Sequence, residues 1–205
     1  MRKNVLKHAS NNSKAKASKL RIISGEWRSR QLPIPDIEGL RPTPDRVRET
    51  LFNWINPYIP GSVCGDLFCG SGALGLEALS RGAKHLLFVD NSRVVSQQMT
   101  DNLATLGATN ADVVAQNASA FLESATPRPL DIVFLDPPFR KGWLAQMIPL
   151  LEKGWLADRA LVYIEMEKEA NLPPLPRHWS LKKEKIAGQL VYRLFEVTKA
   201  SEELN

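Results

Sequence analysis

Between Ser62 and Met166 the chain changes texture at regular intervals. Apolar runs of strand length ("SVCGDLF", "HLLFVD", "DVVAQ", "LDIVFLD", "ALVYIEM") are separated by stretches of helical period ("GALGLEALSRG", "RVVSQQMTDNLATLG", "ASAFLESA", "WLAQMIPLLEKG"). Strands that alternate with helices cannot be joined by tight hairpins. They form a parallel sheet with helices on both faces, and such strands are apolar throughout because both faces are covered. Gly82 and Gly107 close the first two helices, and Pro149 is expected to kink the last. Beyond a proline-rich link ("NLPPLP"), "WSLKKEKIAG" and "QLVYRLFEV" predict an antiparallel pair that turns at Gly188.

The segment ahead of this block has another character. "LRIISGEWRSRQLPIP" predicts a hairpin with its tip at Ser24-Gly25-Glu26. In "GLRPTPDRVRETLFNWINPYIP", Thr43 or Asp45 can cap a helix that puts Val47, Leu51, Trp54 and Ile55 on one face and stops at Pro57. Pro60-Gly61 marks a boundary. The expected organisation is a basic, disordered tail (1–19), a hairpin and helix extension (20–60), an α/β domain (61–199) and a short tail (200–205).

Composition narrows the function classes. A chain of 205 residues, 43% apolar and 24% charged, has the make-up of an ordinary globular domain. No apolar run reaches the ~20 residues that span a bilayer, and the N-terminus lacks the apolar core of a secretory signal. Residues 1–20 are basic without an amphipathic repeat, which predicts a tail rather than a transit peptide. Cys64 and Cys69 match neither zinc nor C-x-x-C spacing, and His8, His85 and His178 are scattered, so no metal is expected. A reduced, cytoplasmic, monomeric protein is the expectation.

The net charge of +5 is lopsided. Residues 1–30 hold nine Lys and Arg against one acid, Glu26, leaving −3 on the other 175. Lys14, Lys16, Lys19, Arg21, Arg28 and Arg30 are therefore candidate contacts to a polyanion, with a passive solubilising tail as the alternative.

"DLFCGSGALG" joins the first parallel strand to its helix and fits G-x-G-x-x-G at Gly70, Gly72 and Gly75. Such a turn lets a ligand approach the backbone at a helix N-terminus. Asp90 ends the next strand, where a carboxylate receives ribose hydroxyls of either NAD or S-adenosylmethionine. Asp66 separates the two. Next to a pyrophosphate it would cost ~a few kcal/mol of repulsion, whereas it attracts the sulfonium and ammonium of the methyl donor. Asn117-Ala118 stands at the adenine-edge position, where Asn117 serves equally well as a helix cap.

Asp136-Pro137-Pro138-Phe139 ends the fourth parallel strand, beside the topological switch point of the sheet. An exocyclic base amine is a weak nucleophile because its lone pair is delocalised into the ring. Asp136 and the Pro137 carbonyl can accept its two hydrogens, two prolines lock that geometry, and Phe139 can stack on the base.

Together these motifs resemble class I S-adenosylmethionine-dependent methyltransferases of exocyclic amines, a group that includes adenine-N6 DNA methylases and guanine-N2 RNA methylases. "ISGEWRSRQLPIP", "GLRPTPDRVRETLFNW" and "GSGALGLEALSRGA" look like the RsmD family of 16S rRNA guanine-N2 methyltransferases, a likeness running from about residue 20 to 196. It implies a Rossmann-like sheet of seven strands, mostly parallel with the last antiparallel, preceded by a small hairpin and helix extension. It implies the donor on Asp66, Gly70, Gly72, Asp90, Asn117 and Ala118, with Phe68, Gly75 and Asp136 beside them. The target guanine falls to Asp136, Pro137, Pro138 and Phe139. Arg41, Thr43 and Arg46 would line the cleft, and Arg140 and Lys141 would meet RNA next to it. The implied partner is 16S rRNA, in the small ribosomal subunit or an assembly intermediate. The rivals are an adenine-N6 DNA methylase, for whose target-recognition segment the short connections leave no room, a dehydrogenase, and a non-catalytic RNA-binding assembly factor.

Overall fold

The computed structural model describes residues 18–37, 40, 43–139 and 141–199. An extension comes first: strands β1 (Lys19–Arg21) and β2 (Gln31–Pro33), then helix α1 (Asp45–Ile55). The alternating block follows as β3 (Val63–Asp66), α2 (Ala73–Ser80), β4 (His85–Asp90), α3 (Arg93–Leu106), β5 (Ala111–Ala115), α4 (Ala118–Ser124), β6 (Leu130–Leu135), α5 (Trp143–Leu151) and β7 (Leu156–Glu167). Strands β8 (Trp179–Ala187) and β9 (Leu190–Thr198) close the chain as a hairpin around Gly188, whose φ is +63°. None of the helices described is long and apolar enough to cross a membrane.

Seven strands form one sheet in the order β5-β4-β3-β6-β7-β9-β8, with β9 antiparallel to both neighbours. The chain moves outward from β3 to β5 on one side and from β6 to β7 on the other, so the switch point lies between β3 and β6. Alternate residues feed two cores. Cys64, Ile132, Phe134 and Tyr163 face the one shared with α2, α3 and the extension; Leu67, Val133, Leu135 and Ile164 face the one shared with α4 and α5. That double burial is why these strands show apolar runs rather than alternation.

The extension belongs to the first core. Leu20, Ile22, Trp27, Leu32, Leu51 and Phe52 are buried in the same cluster as Leu76 and Phe88. Polar contacts fix its position. The fully buried Glu77 of α2 accepts from the backbone N–H groups of Ile23 (2.8 Å) and Ser24 (2.9 Å) and from Arg81 Nε (2.8 Å). Gly25 has φ +82°, and a Cβ there would lie 1.9 Å from the Ser80 carbonyl oxygen, so this turn requires glycine.

Helix α1 departs from its sequence reading in two ways. Pro44 occupies the cap with no side-chain hydrogen bond, while Asp45 pairs with Arg48 (2.6 Å). Arg48 and Phe52 are buried with Val47, Leu51 and Ile55, whereas Trp54 lies at the margin, stacked on Tyr192 with centroids 5.5 Å apart. The hairpin covers the helix from above, which widens its buried stripe. Arg48 Nη2 donates to the Arg21 carbonyl (3.0 Å) and to Asp45, and its Nη1 stands 3.7 Å from the buried Glu77 carboxylate, which offsets the burial of its charge. Strand β7 starts earlier than the sequence predicts: Leu156 pairs with Leu130 of β6, and β9 pairs with it from Arg159 to Glu167.

Candidate active site

The carboxyl ends of β3, β4, β6 and β7 open into a cleft of about 600 Å³. Four acids reach it among the described residues: Asp66 and Asp90 end their strands, Asp136 follows β6, and Glu165 lies two residues before the end of β7. No Lys or Arg is among its described lining residues.

The turn after β3 sets the first wall. Gly70 and Gly72 have φ of +48° and +76°, and Gly72 caps α2 in the left-handed conformation. A Cβ on Gly72 would come within 2.2 Å of Met99 Cε. The Gly70 N–H donates to Asp90 Oδ2 (3.0 Å) and the Ser92 N–H to Asp90 Oδ1 (2.8 Å), so the carboxylate is held with lone pairs to spare. Asp66 is 2% exposed and accepts from the Gly75 N–H (3.0 Å). Burial raises its pKa to about 7, the Gly75 bond opposes that rise, and Asp136 and Asp90 add to it.

The second wall is the tetrapeptide after β6. Asp136, Pro137, Pro138 and Phe139 all line the cleft. Burial raises the Asp136 pKa to about 6. Phe139 is 48% exposed, unlike Phe134 of the preceding strand at 0%. A large ring left in water at a cleft mouth suits stacking on a flat partner. Thr43, itself buried, and Leu40 bring the extension onto the cleft edge; a Cβ on Gly70 would stand 3.1 Å from Leu40 Cδ1.

Not every sequence candidate gathers here. Gly75 lies inside α2, where a Cβ would meet Phe88 Cε1 at 2.2 Å; it allows the helix to approach the sheet. Asn117 caps α4, accepting from the N–H groups of Ser119 (3.0 Å) and Ala120 (3.3 Å), with Ala118 buried beside it. Phe68 packs against Trp143 at 5.6 Å between centroids. These four residues and Arg46 are not on the cleft wall. Lys19, Arg21, Arg28, Arg30, Arg46 and Lys141 are exposed, with Arg30 donating to the Thr105 carbonyl (3.0 Å). Lys14, Lys16, Arg41 and Arg140 fall outside the described residues, as does the N-terminal tail up to residue 17.

Glu165 was not legible as a site residue. It is 3% exposed, accepts from the Tyr163 hydroxyl (2.8 Å), and burial with Asp136 nearby pushes its carboxyl well above the usual range. The available signal was a charged residue within the otherwise apolar run "ALVYIEM".

The chemistry of the donor set is that of a cation binder. Several desolvated acids without a basic partner on the wall favour a positively charged ligand over a pyrophosphate. Among the described residues, no three His, Cys, Asp or Glu groups are placed to hold a metal ion. Cys64 and Cys69 are free and buried, with thiol pKa values pushed to about 12 and well upward respectively, so neither supplies a thiolate nucleophile.

This sheet order, with a glycine turn after its first parallel strand and an acid ending the next, is the fold of the class I methyltransferases. The model of the family described as "Conserved hypothetical protein 95" matches residues 20–196, and the chain belongs to that family, the RsmD family. It is 57% identical over 182 residues to ribosomal RNA small subunit methyltransferase D of Escherichia coli strain K12, covering 88% of this chain and 91% of that protein. The protein of the same name from Haemophilus influenzae is 49% identical over 181 residues, 86% of this chain and 93% of its own. The solved structure of yhhF from Escherichia coli superposes with a TM-score of 0.82 at 53% identity, over 88% of this chain and 99% of that one.

Proposed function

We propose that this chain transfers a methyl group from S-adenosylmethionine to the exocyclic N2 amine of a specific guanine in 16S rRNA, within the small ribosomal subunit or an assembly intermediate. The observation that carries this reading is the sharing of one cleft by Asp136 and the exposed Phe139 ring with Asp66 and Asp90. The relatives named for small-subunit rRNA methylation cover nearly the whole chain and support the RNA substrate.

The methyl donor supplies an electrophilic carbon on a sulfonium. On this chain, the Asp90 carboxylate, already oriented by two backbone N–H groups, has acceptors left for ribose hydroxyls. Asp66 provides negative charge beside the glycine turn, where a cationic group offsets its desolvation. Asp136 and the Pro137 carbonyl accept hydrogens from the base amine, and Phe139 holds the ring flat against the cleft mouth. As the amine lone pair bonds to the methyl carbon, the carbon–sulfur bond breaks with its electrons left on sulfur. The surplus N2 proton leaves to Asp136 or water. Positioning is the main contribution, which is what a doubly proline-locked loop provides.

The basic residues of the extension and tail, together with Lys141, are the proposed RNA contacts. The protein is proposed to act in the cytoplasm, as a monomer and without a metal. The test offers labelled donor with small-subunit RNA, naked and with ribosomal proteins, and maps the modified base. Label at N2 of one guanine is expected. Label on adenine would favour the N6 reading, and absence of transfer with intact donor binding would favour an assembly factor.

A further inference from the structure

Glu165 sits one strand from the proposed amine-binding acid. Strands β6 and β7 run parallel with Leu135 opposite Ile164, which places Asp136 and Glu165 side by side one residue further on. Adjacent strands are about 4.8 Å apart, so side chains from these positions can converge on neighbouring atoms of one heterocycle. Glu165 also lines a smaller cavity of about 160 Å³, which shares Pro137, Pro138 and Phe139 with the main cleft. A base stacked on Phe139 with its amine at Asp136 can turn its Watson–Crick edge towards Glu165.

We infer that Glu165 reads the N1–H of the target guanine and is the residue that selects guanine over purines lacking that hydrogen. This rests on the proposed base methylation and adds the origin of its specificity. In guanine, N1–H is the donor adjacent to the N2 amine; in adenine and 2-aminopurine, N1 carries a lone pair instead. The Tyr163 hydroxyl occupies Oε1 at 2.8 Å and so orients the carboxyl group, leaving Oε2 for a ligand. Burial and the neighbouring Asp136 push the Glu165 carboxyl upward, and an arriving N–H donor opposes that by favouring the ionised form that accepts it. A lone pair at N1 is met only while the carboxyl keeps its proton; the ionised group would face that lone pair without a hydrogen between them, the most costly arrangement for a buried acceptor. The side chain lies too deep for a general RNA contact, which agrees with the reading of a single edge.

The experiment compares small-subunit RNA carrying guanine or 2-aminopurine at the methylated position, because both bases keep the 2-amine. With pH varied from about 6 to 9, the wild-type enzyme is expected to prefer guanine most at the alkaline end, by about 10–100-fold in kcat/KM, the range for leaving one charged hydrogen-bonding group unpaired. Glu165→Gln keeps the shape and presents either an acceptor or a donor, so its preference falls towards unity. Donor binding by calorimetry reports that this variant is folded. A wild-type enzyme that methylates both bases equally across that pH range, or a Glu165→Gln enzyme that keeps the full preference, would overturn the inference. Should the variant fail to fold, the wild-type comparison alone decides. Failure of the wild type to methylate guanine at all would instead remove the underlying function.

Discussion

Asp66 ends β3 and Asp136 follows its neighbour β6: Asp66 pairs with Phe134, Asp136 lies two residues beyond Phe134, and both face one cleft. Their pKa values, about 7 and about 6, leave both largely protonated at pH 5.5. A cationic donor favours the ionised forms, so its binding must release protons below pH 7. Affinity is expected to rise by up to ~tenfold per pH unit per proton released between pH 5.5 and 7, then level off. Calorimetry in buffers of different ionisation enthalpy measures that release; a pH-independent affinity without proton release would contradict it.

The same acids act on stability with a definite sign. Their folded-state pKa values lie above the unfolded ones, so between about pH 4 and 7 the folded protein holds protons that the unfolded chain has lost. The stability contribution of this pair therefore falls as pH rises through that window. The thermal shift produced by S-adenosylmethionine is expected to be larger at pH 7.5 than at pH 5.5. An equal shift at both would mean that the acids do not sense the ligand.

Gly25→Ala tests the attachment of the extension. The new methyl group meets the Ser80 carbonyl, and φ of +82° strains any alanine. A loss of ~1–3 kcal/mol in chemical denaturation is expected from strain and overpacking. Unchanged stability would mean that the turn repacks without cost.

The basic arm makes a separate prediction. Deleting residues 1–17 removes five Lys and Arg from the N-terminus. RNA affinity should fall, and the log–log salt slope should flatten by about 0.7 per lost phosphate contact. An unaltered slope would identify the arm as passive.

Much of this arrangement was readable from residue types. Glycine and proline impose backbone geometry locally, so the turn at Gly70–Gly72 and the rigid Asp136–Phe139 loop could be placed before any contact was known. Parallel strands announced themselves as apolar runs because both faces are covered. Glu165 was hidden because its meaning comes from strand adjacency: only the β6–β7 register brings it beside Asp136. The burial of Arg48 was hidden for a similar reason, since its partners come from the hairpin as well as its own helix. Asn117 shows the opposite case, in which a local hydrogen-bonding pattern suffices to account for the residue.

In the proposed reaction Asp136 is the group that aligns the reacting amine. Single-turnover transfer from labelled donor to small-subunit RNA, comparing wild type with Asp136→Ala at saturating donor, measures this directly. A drop of roughly 10²–10³ in the transfer rate is predicted, the scale for removing one preorganised polar contact, with RNA binding nearly unchanged. Transfer at close to the wild-type rate would contradict it.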